Sequence, residues 1–90
     1  MPTDTVLYVD GEASSRSTGL DRLREQARDA TVVAAPSLAD AKAIVRDRQV
    51  DCVVTAYELP DGTGVDLAEY VRDSAPDVGC VLYTDVDRAE

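Results

Sequence analysis

The chain has 90 residues and a mass of 9.6 kDa, with 44% hydrophobic and 30% charged residues, a balance typical of one small globular domain. Eighteen acidic residues against nine basic ones give a net charge of −9, which disfavours nucleic acid and membrane surfaces as partners because both are anionic. The sequence contains no histidine, which excludes His-based catalysis and Cys/His zinc sites, so we do not expect an enzyme.

The apolar runs are too short to cross a membrane, and the first residues lack the pattern of a secretory signal. We therefore expect a cytoplasmic protein. Lys42 is the only lysine beside eight arginines. This acid-rich, lysine-poor composition is typical of halophilic proteins, in which salt screens the repulsion between surface charges. An ordinary acidic protein is the alternative.

Four short apolar segments, at residues 5–10, 31–35, 52–56 and 79–84, predict strands. Their nearly continuous apolar character is typical of strands buried on both faces of a parallel sheet. Cys52 and Cys80 lie in these runs and are interpreted as small buried hydrophobic residues. The sequence thus predicts a sheet that is covered by helices on both sides.

Three amphipathic segments between these strands predict helices. The first begins at Ser14 or Ser15 and ends near Asp29. Ser37 is expected to cap the second helix, and Thr63 the third. The residues predicted to face inward on the third helix are Val65, Leu67, Ala68 and Val71.

The alternation of strands and helices predicts an α/β fold, a flavodoxin-like doubly wound parallel sheet with strand order 2-1-3-4 that is truncated before a fifth strand. Residues 1–90 are expected to form a single domain. The sequence ends six residues after the fourth predicted strand. We therefore expect either a fragment of a longer protein or a sheet edge completed by another chain, such as a homodimer through the fourth strand.

Ligands of open parallel sheets bind beyond the carboxyl ends of the strands, so the residues at those ends are the candidate site. An acid after the first strand is a candidate Mg²⁺ ligand, and a threonine after the fourth is suited to hold a phosphoryl oxygen. The residues at these ends are Asp10, Gly11 and Glu12, then Thr55, Ala56, Tyr57 and Glu58, and finally Thr84 and Asp85.

Three segments resemble the response-regulator receiver domains of the CheY-like family. Residues 6–12, Val-Leu-Tyr-Val-Asp-Gly-Glu, resemble the acidic opening of these domains. Residues 51–67 resemble the third strand and its loop, where the phosphoacceptor aspartate precedes two variable residues, Met-Pro and then a glycine. Residues 80–84 are similar to the fourth strand, which ends in threonine or serine. The resemblance implies two-component phosphorelay signal transduction, as an N-terminal module of a longer protein with a fused or separate sensor or output domain as partner.

Departures from the family pattern remove the phosphorylation chemistry. Aligning Leu59 and Pro60 with the family's Met-Pro places Ala56 at the phosphoacceptor position, and a methyl group cannot attack a phosphoryl donor. Gly11 stands where the second acid of the opening pair belongs, and the family's lysine lies on a fifth strand that this sequence does not contain. The resemblance therefore implies a degenerate pseudo-receiver.

The residual site matches the family at few positions. Asp10 and Glu12 form a residual acidic pocket, and Thr84 matches the phosphoryl-sensing position. These carboxylates supply too little negative charge to hold Mg²⁺. No cofactor is therefore expected, unless the degenerate site still binds Mg²⁺ through Asp10. We expect a module that acts through protein–protein interaction, with Tyr57 as a candidate contact beside Ala56.

Two alternatives remain. Glu58 or Asp61 could act as a displaced phosphoacceptor, which would make the chain a phosphorylatable receiver. A Ser/Thr/Gly-rich segment after the first strand could instead bind phosphate or flavin at a helix N-terminus, as in flavodoxins. If the loop backbone is receiver-like, replacing both Ala56 and Gly11 with aspartate is expected to create a Mg²⁺ site.

Overall fold

The computed structural model describes residues 4–26 and 29–83. In this part of the chain, strands and helices alternate as predicted. The strands are β1 (Thr5–Val9), β2 (Thr31–Ala35), β3 (Cys52–Ala56), β4 (Glu58–Leu59), β5 (Gly62–Thr63) and β6 (Gly79–Tyr83), and the helices are α1 (Ala13–Gln26), α2 (Leu38–Asp47) and α3 (Gly64–Ser74).

Four strands form one parallel sheet in the order β2-β1-β3-β6. Because β6 is the fourth of the strands predicted from the sequence, this is the predicted order 2-1-3-4, and the flavodoxin-like α/β fold is confirmed. The register places Leu7 of β1 between Val33 of β2 and Val53 of β3. The antiparallel hairpin of β4 and β5 was not predicted, because two-residue strands are too short to show an alternating pattern.

Helices α2 and α3 cover one face of the sheet and enclose the main hydrophobic core. Alternate residues of the central strands point to this face, and the two helices contact each other above it. The buried residues of this cluster are Leu7, Val9, Ala35, Leu38, Ala41, Val45, Val50, Val53, Leu59, Leu67 and Val71.

Helix α1 covers the opposite face over β1 and β2. It begins at Ala13, one residue before the earlier of the two predicted starts. Tyr8 and Val32 are buried on this face. A Cβ at Gly19 would overlap the Tyr8 hydroxyl and lie 2.5 Å from its Cζ, so the glycine allows α1 to pack directly on the phenol ring.

The predicted caps of α2 and α3 are both present. The Ser37 hydroxyl accepts a hydrogen bond from the Asp40 N–H at 3.1 Å. Thr63 and Asp66 form a reciprocal capping box, with each side chain accepting the other residue's N–H at 3.1 Å. The inward orientation predicted for Val65 is wrong: its side chain is 40% exposed, because Gly64, Leu67 and Val71 form the inward face of α3 and Val65 lies about 100° around the helix from Gly64.

The Lys42 ammonium of α2 lies 5.3 Å from the centroid of the Tyr70 ring of α3, which is a cation–π distance. Cys52 and Cys80 are free thiols and only half-buried, rather than fully buried as predicted. Partial burial raises the pKa of the Cys80 thiol, with the neighbouring Cys52 as a smaller cause.

None of the helices within residues 4–26 and 29–83 is both long and apolar enough to cross a membrane.

Candidate functional site

The candidate site lies at the carboxyl edge of the sheet, where β1 and β3 end side by side. Val9 pairs with Thr55, so the next residues, Asp10 and Ala56, leave their strands at the same level. The structure therefore brings together the two positions that the family resemblance made central. Thr84, the predicted phosphoryl-sensing residue, lies outside the described residues.

Asp10 holds a buried carboxylate at this edge. Its side chain is 5% exposed. One carboxylate oxygen accepts the Glu12 N–H at 3.0 Å, and the other accepts the Tyr8 hydroxyl at 3.4 Å. The Asp10 N–H donates to the Ala35 carbonyl at 3.1 Å, which extends the β1–β2 pairing by one step. The side chain is thus fixed by its neighbours on β1 and on the loop to α1.

Arg16 brings a positive charge to the same edge. Its Nη1 donates a hydrogen bond to the Asp10 carbonyl oxygen at 3.0 Å. The backbone N–H of Arg16 donates to the Glu12 carbonyl at 2.8 Å in the first turn of α1. The Glu12 side chain itself is exposed. The sequence analysis missed Arg16. Its place one helical turn after Glu12 is the signal that could have indicated it.

Ala56 is half-buried and packs its methyl group against the core cluster. Its carbonyl oxygen accepts the Thr55 hydroxyl at 3.0 Å. Helix α3 starts directly beside this strand end, where the Gly64 N–H donates to the Tyr57 carbonyl at 2.6 Å. A Cβ at Gly64 would overlap both the Ala56 carbonyl oxygen and the Leu82 side chain, so this close approach requires glycine.

The hairpin after β3 closes against the loop that follows β1. A Cβ at Gly11 would lie 2.6 Å from Cδ and 2.9 Å from Cγ of Pro60. The proline ring therefore fills the space into which a side chain at position 11 would extend. This contact weighs against the Mg²⁺ site expected in the double aspartate variant, which stays a prediction, because Gly11→Asp would have to displace Pro60 before it could present a carboxylate.

Asp61 fastens the same hairpin to helix α2. Its Oδ1 accepts the Leu38 N–H at 2.8 Å, and its Oδ2 accepts the Ala39 N–H at 3.0 Å. These two bonds lower the pKa of the Asp61 carboxyl from its ordinary value of 3.8. The sequence predicted Asp61 only as a displaced phosphoacceptor and did not indicate this capping role, because Leu38, where the capped helix begins, lies 23 residues earlier in the chain.

Two candidates beside Ala56 are exposed. Glu58 belongs to β4, where it pairs with Thr63, and its side chain faces solvent. Tyr57 is 42% exposed, so it lies at the rim where a contact was predicted. In the part of the chain that the structure describes, no three His, Cys, Asp or Glu side chains are grouped so that they could hold a metal ion.

Solved structures of response regulators share this architecture. The receiver domain of HemR from Leptospira biflexa has a TM-score of 0.80 and 28% identity over 97% of this chain and 68% of its own. TrrA from Thermotoga maritima, in complex with Mg²⁺ and BeF, has a TM-score of 0.84 and 23% identity over 91% of this chain and 70% of its own. An aspartate-to-alanine mutant of MaeR bound to sulfate has a TM-score of 0.83 and 24% identity over 93% of this chain and 69% of its own.

No protein-family model and no curated protein sequence matches the chain. The sheet order, the helices and the solved structures nevertheless show that the chain has the flavodoxin-like fold of CheY-like receiver domains. The resemblance seen in the three sequence segments is thereby confirmed. On this fold, the chain carries alanine at the end of its central strand and glycine after Asp10.

Proposed function

We propose that the chain is a two-component receiver-like module that accepts no phosphoryl group and acts through contacts with other proteins. The observation that carries this proposal is the Ala56 methyl group at the end of β3, packed against the core. A covalent acyl phosphate needs a carboxylate nucleophile, and Ala56 has none. The MaeR mutant supports the proposal because its fold is the same although an aspartate has been replaced by alanine.

The residues at this edge do not fit the Mg²⁺ ion that the family implies. Mg²⁺ prefers several hard oxygen ligands in an octahedral arrangement. Asp10 is the buried carboxylate here, while Glu12 and Glu58 are exposed. The residue after Asp10 is Gly11, and the Pro60 ring fills the space that a side chain there would need. The Arg16 guanidinium adds positive charge next to Asp10, which further disfavours a divalent cation.

The displaced phosphoacceptors fit the structure poorly. Both oxygens of Asp61 accept backbone N–H groups of α2, so an attack on phosphorus would compete with the helix cap. Glu58 lies on the exposed hairpin rather than at the strand end where Asp10 and Ala56 meet. In-line attack depends on closely defined geometry, and neither acid shares the position of Ala56.

The test is incubation with acetyl phosphate and Mg²⁺, followed by intact-mass measurement, with an intact receiver treated in parallel to show that the donor is active. We expect no change in mass. A stable gain of one phosphoryl group, mapped by peptide sequencing to Glu58 or Asp61, would instead establish a phosphorylatable receiver. Flavin mononucleotide added to the same protein should keep its fluorescence, whereas tight quenching would favour a flavodoxin-like module.

Calorimetry with Mg²⁺ tests the geometry of the site itself. Ala56→Asp restores one carboxylate at the end of β3, and Gly11→Asp adds a side chain that collides with Pro60. We expect the double variant to bind Mg²⁺ no better than the single variant and to be less stable. Tight Mg²⁺ binding that appears only in the double variant would show that the hairpin moves aside to form a metal site.

A further inference from the structure

The chain buries a charged side chain at the carboxyl edge of the sheet. In the part of the chain that the structure describes, the buried polar side chains are Asp10 and Thr55, and of these only Asp10 is a carboxylate. The Glu12 N–H and the Tyr8 hydroxyl donate to its two oxygens at 3.0 and 3.4 Å, and neither donor carries a formal charge. A buried carboxylate is costly without a nearby cation, so this edge needs a positive charge from the protein or from a bound ion.

Arg16 brings such a charge from the chain itself. Its Nη1 donates to the Asp10 carbonyl oxygen at 3.0 Å. The carbonyl and the carboxylate belong to the same residue, so the guanidinium lies near the buried charge. The Arg16 side chain is itself half-buried, which weakens the screening of its charge by water and salt.

The position of Arg16 along α1 supports a role toward Asp10. Arg16 lies in the first turn of the helix, where the positive end of the helix dipole makes a basic residue unfavourable. None of residues 13–16 is acidic, so the turn itself does not offset the charge. The Asp10 carboxylate, just before the helix, offsets both the helix end and the guanidinium.

The number of charges distinguishes a guanidinium from a divalent ion at this edge. Ala56 and Gly11 carry no carboxylate, so among the described residues the buried negative charge here is the single charge of Asp10. One guanidinium balances that charge, whereas Mg²⁺ would leave an excess of positive charge. We propose that Arg16 is the built-in counterion of Asp10 and takes the place of a divalent ion at the carboxyl edge.

The inference rests on the proposed function, in which this edge accepts neither a phosphoryl group nor Mg²⁺. It adds the residue that makes the edge independent of both. A partner protein would then meet a surface whose arrangement does not follow the Mg²⁺ concentration.

Glu12 is the alternative partner of Arg16, because the two residues are four positions apart, a spacing at which opposite charges attract along a helix. The Glu12 side chain is exposed, and water and salt weaken ion pairs of that kind. The buried carboxylate of Asp10 is screened less, so Asp10 is favoured as the partner.

A set of variants separates the charge of Arg16 from its packing. Arg16→Gln removes the charge and keeps a hydrogen-bond donor, whereas Arg16→Lys keeps the charge. Arg22→Gln removes the same charge from an exposed position of the same helix and is the matched control. Asp10→Asn and Glu12→Gln each remove one candidate partner charge and keep the side-chain shape.

Thermal unfolding followed by circular dichroism measures the effects, and the spectrum shows whether each variant is folded. We expect Arg16→Gln to lower the melting temperature by at least about 4 °C, and Arg16→Lys and Arg22→Gln by no more than about 2 °C. In the Asp10→Asn background, Arg16→Gln should shift the melting temperature by less than about 2 °C, because the charge it balances is gone. In the Glu12→Gln background its full effect should remain.

A comparison of MgCl₂ with NaCl at equal ionic strength is the second measurement, and it needs no variant at Asp10. The acidic surface attracts Mg²⁺ in every variant, so the difference between variants is the result that counts. We expect MgCl₂ to raise the melting temperature of Arg16→Gln more than that of the unmodified chain or of Arg22→Gln, because the Asp10 carboxylate has lost its counterion.

Three results would each overturn the inference. They are equal losses in Arg16→Gln and Arg22→Gln, a full effect of Arg16→Gln in the Asp10→Asn background, and an equal response of all three chains to MgCl₂. The acetyl phosphate test is independent of these melting temperatures. A chain that stays unphosphorylated but gives one of these results refutes the role of Arg16 alone, whereas phosphorylation refutes the proposed function.

Discussion

The two faces of the sheet differ in how completely they are covered. On the face of α2 and α3, the buried cluster extends from β2 across β1 and β3 and includes residues of both helices. On the opposite face, α1 lies over β1 and β2, and Val81 of β6 is 54% exposed. One face therefore supplies most of the apolar burial, while the other depends on the fit between one helix and Tyr8.

The largest expected effect is on the α2 and α3 face. Leu67 is fully buried in α3, and truncation to alanine leaves a cavity. We expect Leu67→Ala to lower the free energy of unfolding by about 2–5 kcal/mol, and Val81→Ala by about 0.5 kcal/mol or less. Urea unfolding followed by circular dichroism measures both. Similar losses in the two variants would contradict the difference between the faces.

The fit of α1 on Tyr8 gives the next largest effect. In most helix interiors, Gly→Ala is stabilising, by up to about 1 kcal/mol. Here the new methyl group would overlap the Tyr8 phenol, so we expect Gly19→Ala to destabilise the chain by about 1–3 kcal/mol. Thermal unfolding measures the change, and Ser17→Ala, at an exposed position of the same helix, is the control. A more stable Gly19→Ala variant would show that α1 does not rest on this ring.

The Asp61 cap gives a smaller, pH-dependent effect on the α2 side. Because the pKa of Asp61 is lowered by folding, its contribution to stability is present above its unfolded pKa and is lost as the pH falls through the folded value. We expect Asp61→Asn to be less stable than the unmodified chain at neutral pH. The two unfolding midpoints should converge below about pH 4. A constant difference across that range would mean that the carboxylate charge is not what caps α2.

The smallest effect concerns the contact between α2 and α3. Lys42→Met keeps the aliphatic stem but removes the ammonium above Tyr70, so we expect a loss of about 0.5–1 kcal/mol. A double-mutant cycle with Tyr70→Leu separates the cation–π contribution from packing. A coupling energy of zero would assign the contact to packing alone.

The fold was predictable because its elements are locally encoded. Each long strand is a short apolar run, and Ser37 and Thr63 cap helices within three residues of themselves. The predicted strands agree with the structure to within one residue over the described range. Val65 was misassigned because the inward face of α3 begins at Gly64, and glycine adds no apolar side chain to the helical pattern in the sequence.

The candidate site was predictable only in part. Asp10 and Ala56 follow strands that the sequence identifies, so their place at one edge follows from parallel topology. The contact between Gly11 and Pro60 and the bonds from Asp61 to α2 join distant segments, and no local pattern encodes them. The adaptation to high salt that the composition suggests stays a prediction, and unfolding at increasing KCl concentration would test it.

The arrangement of the two thiols has a consequence for handling the protein in air. Val53 is the register partner of Cys80, so Cys52 and Cys80 project from opposite sides of neighbouring strands. A disulfide requires the two Cβ atoms to approach each other, and the intact sheet holds them apart. Covalent species seen on a non-reducing gel would therefore be crosslinks between separate molecules, and they should disappear when both cysteines are replaced by serine.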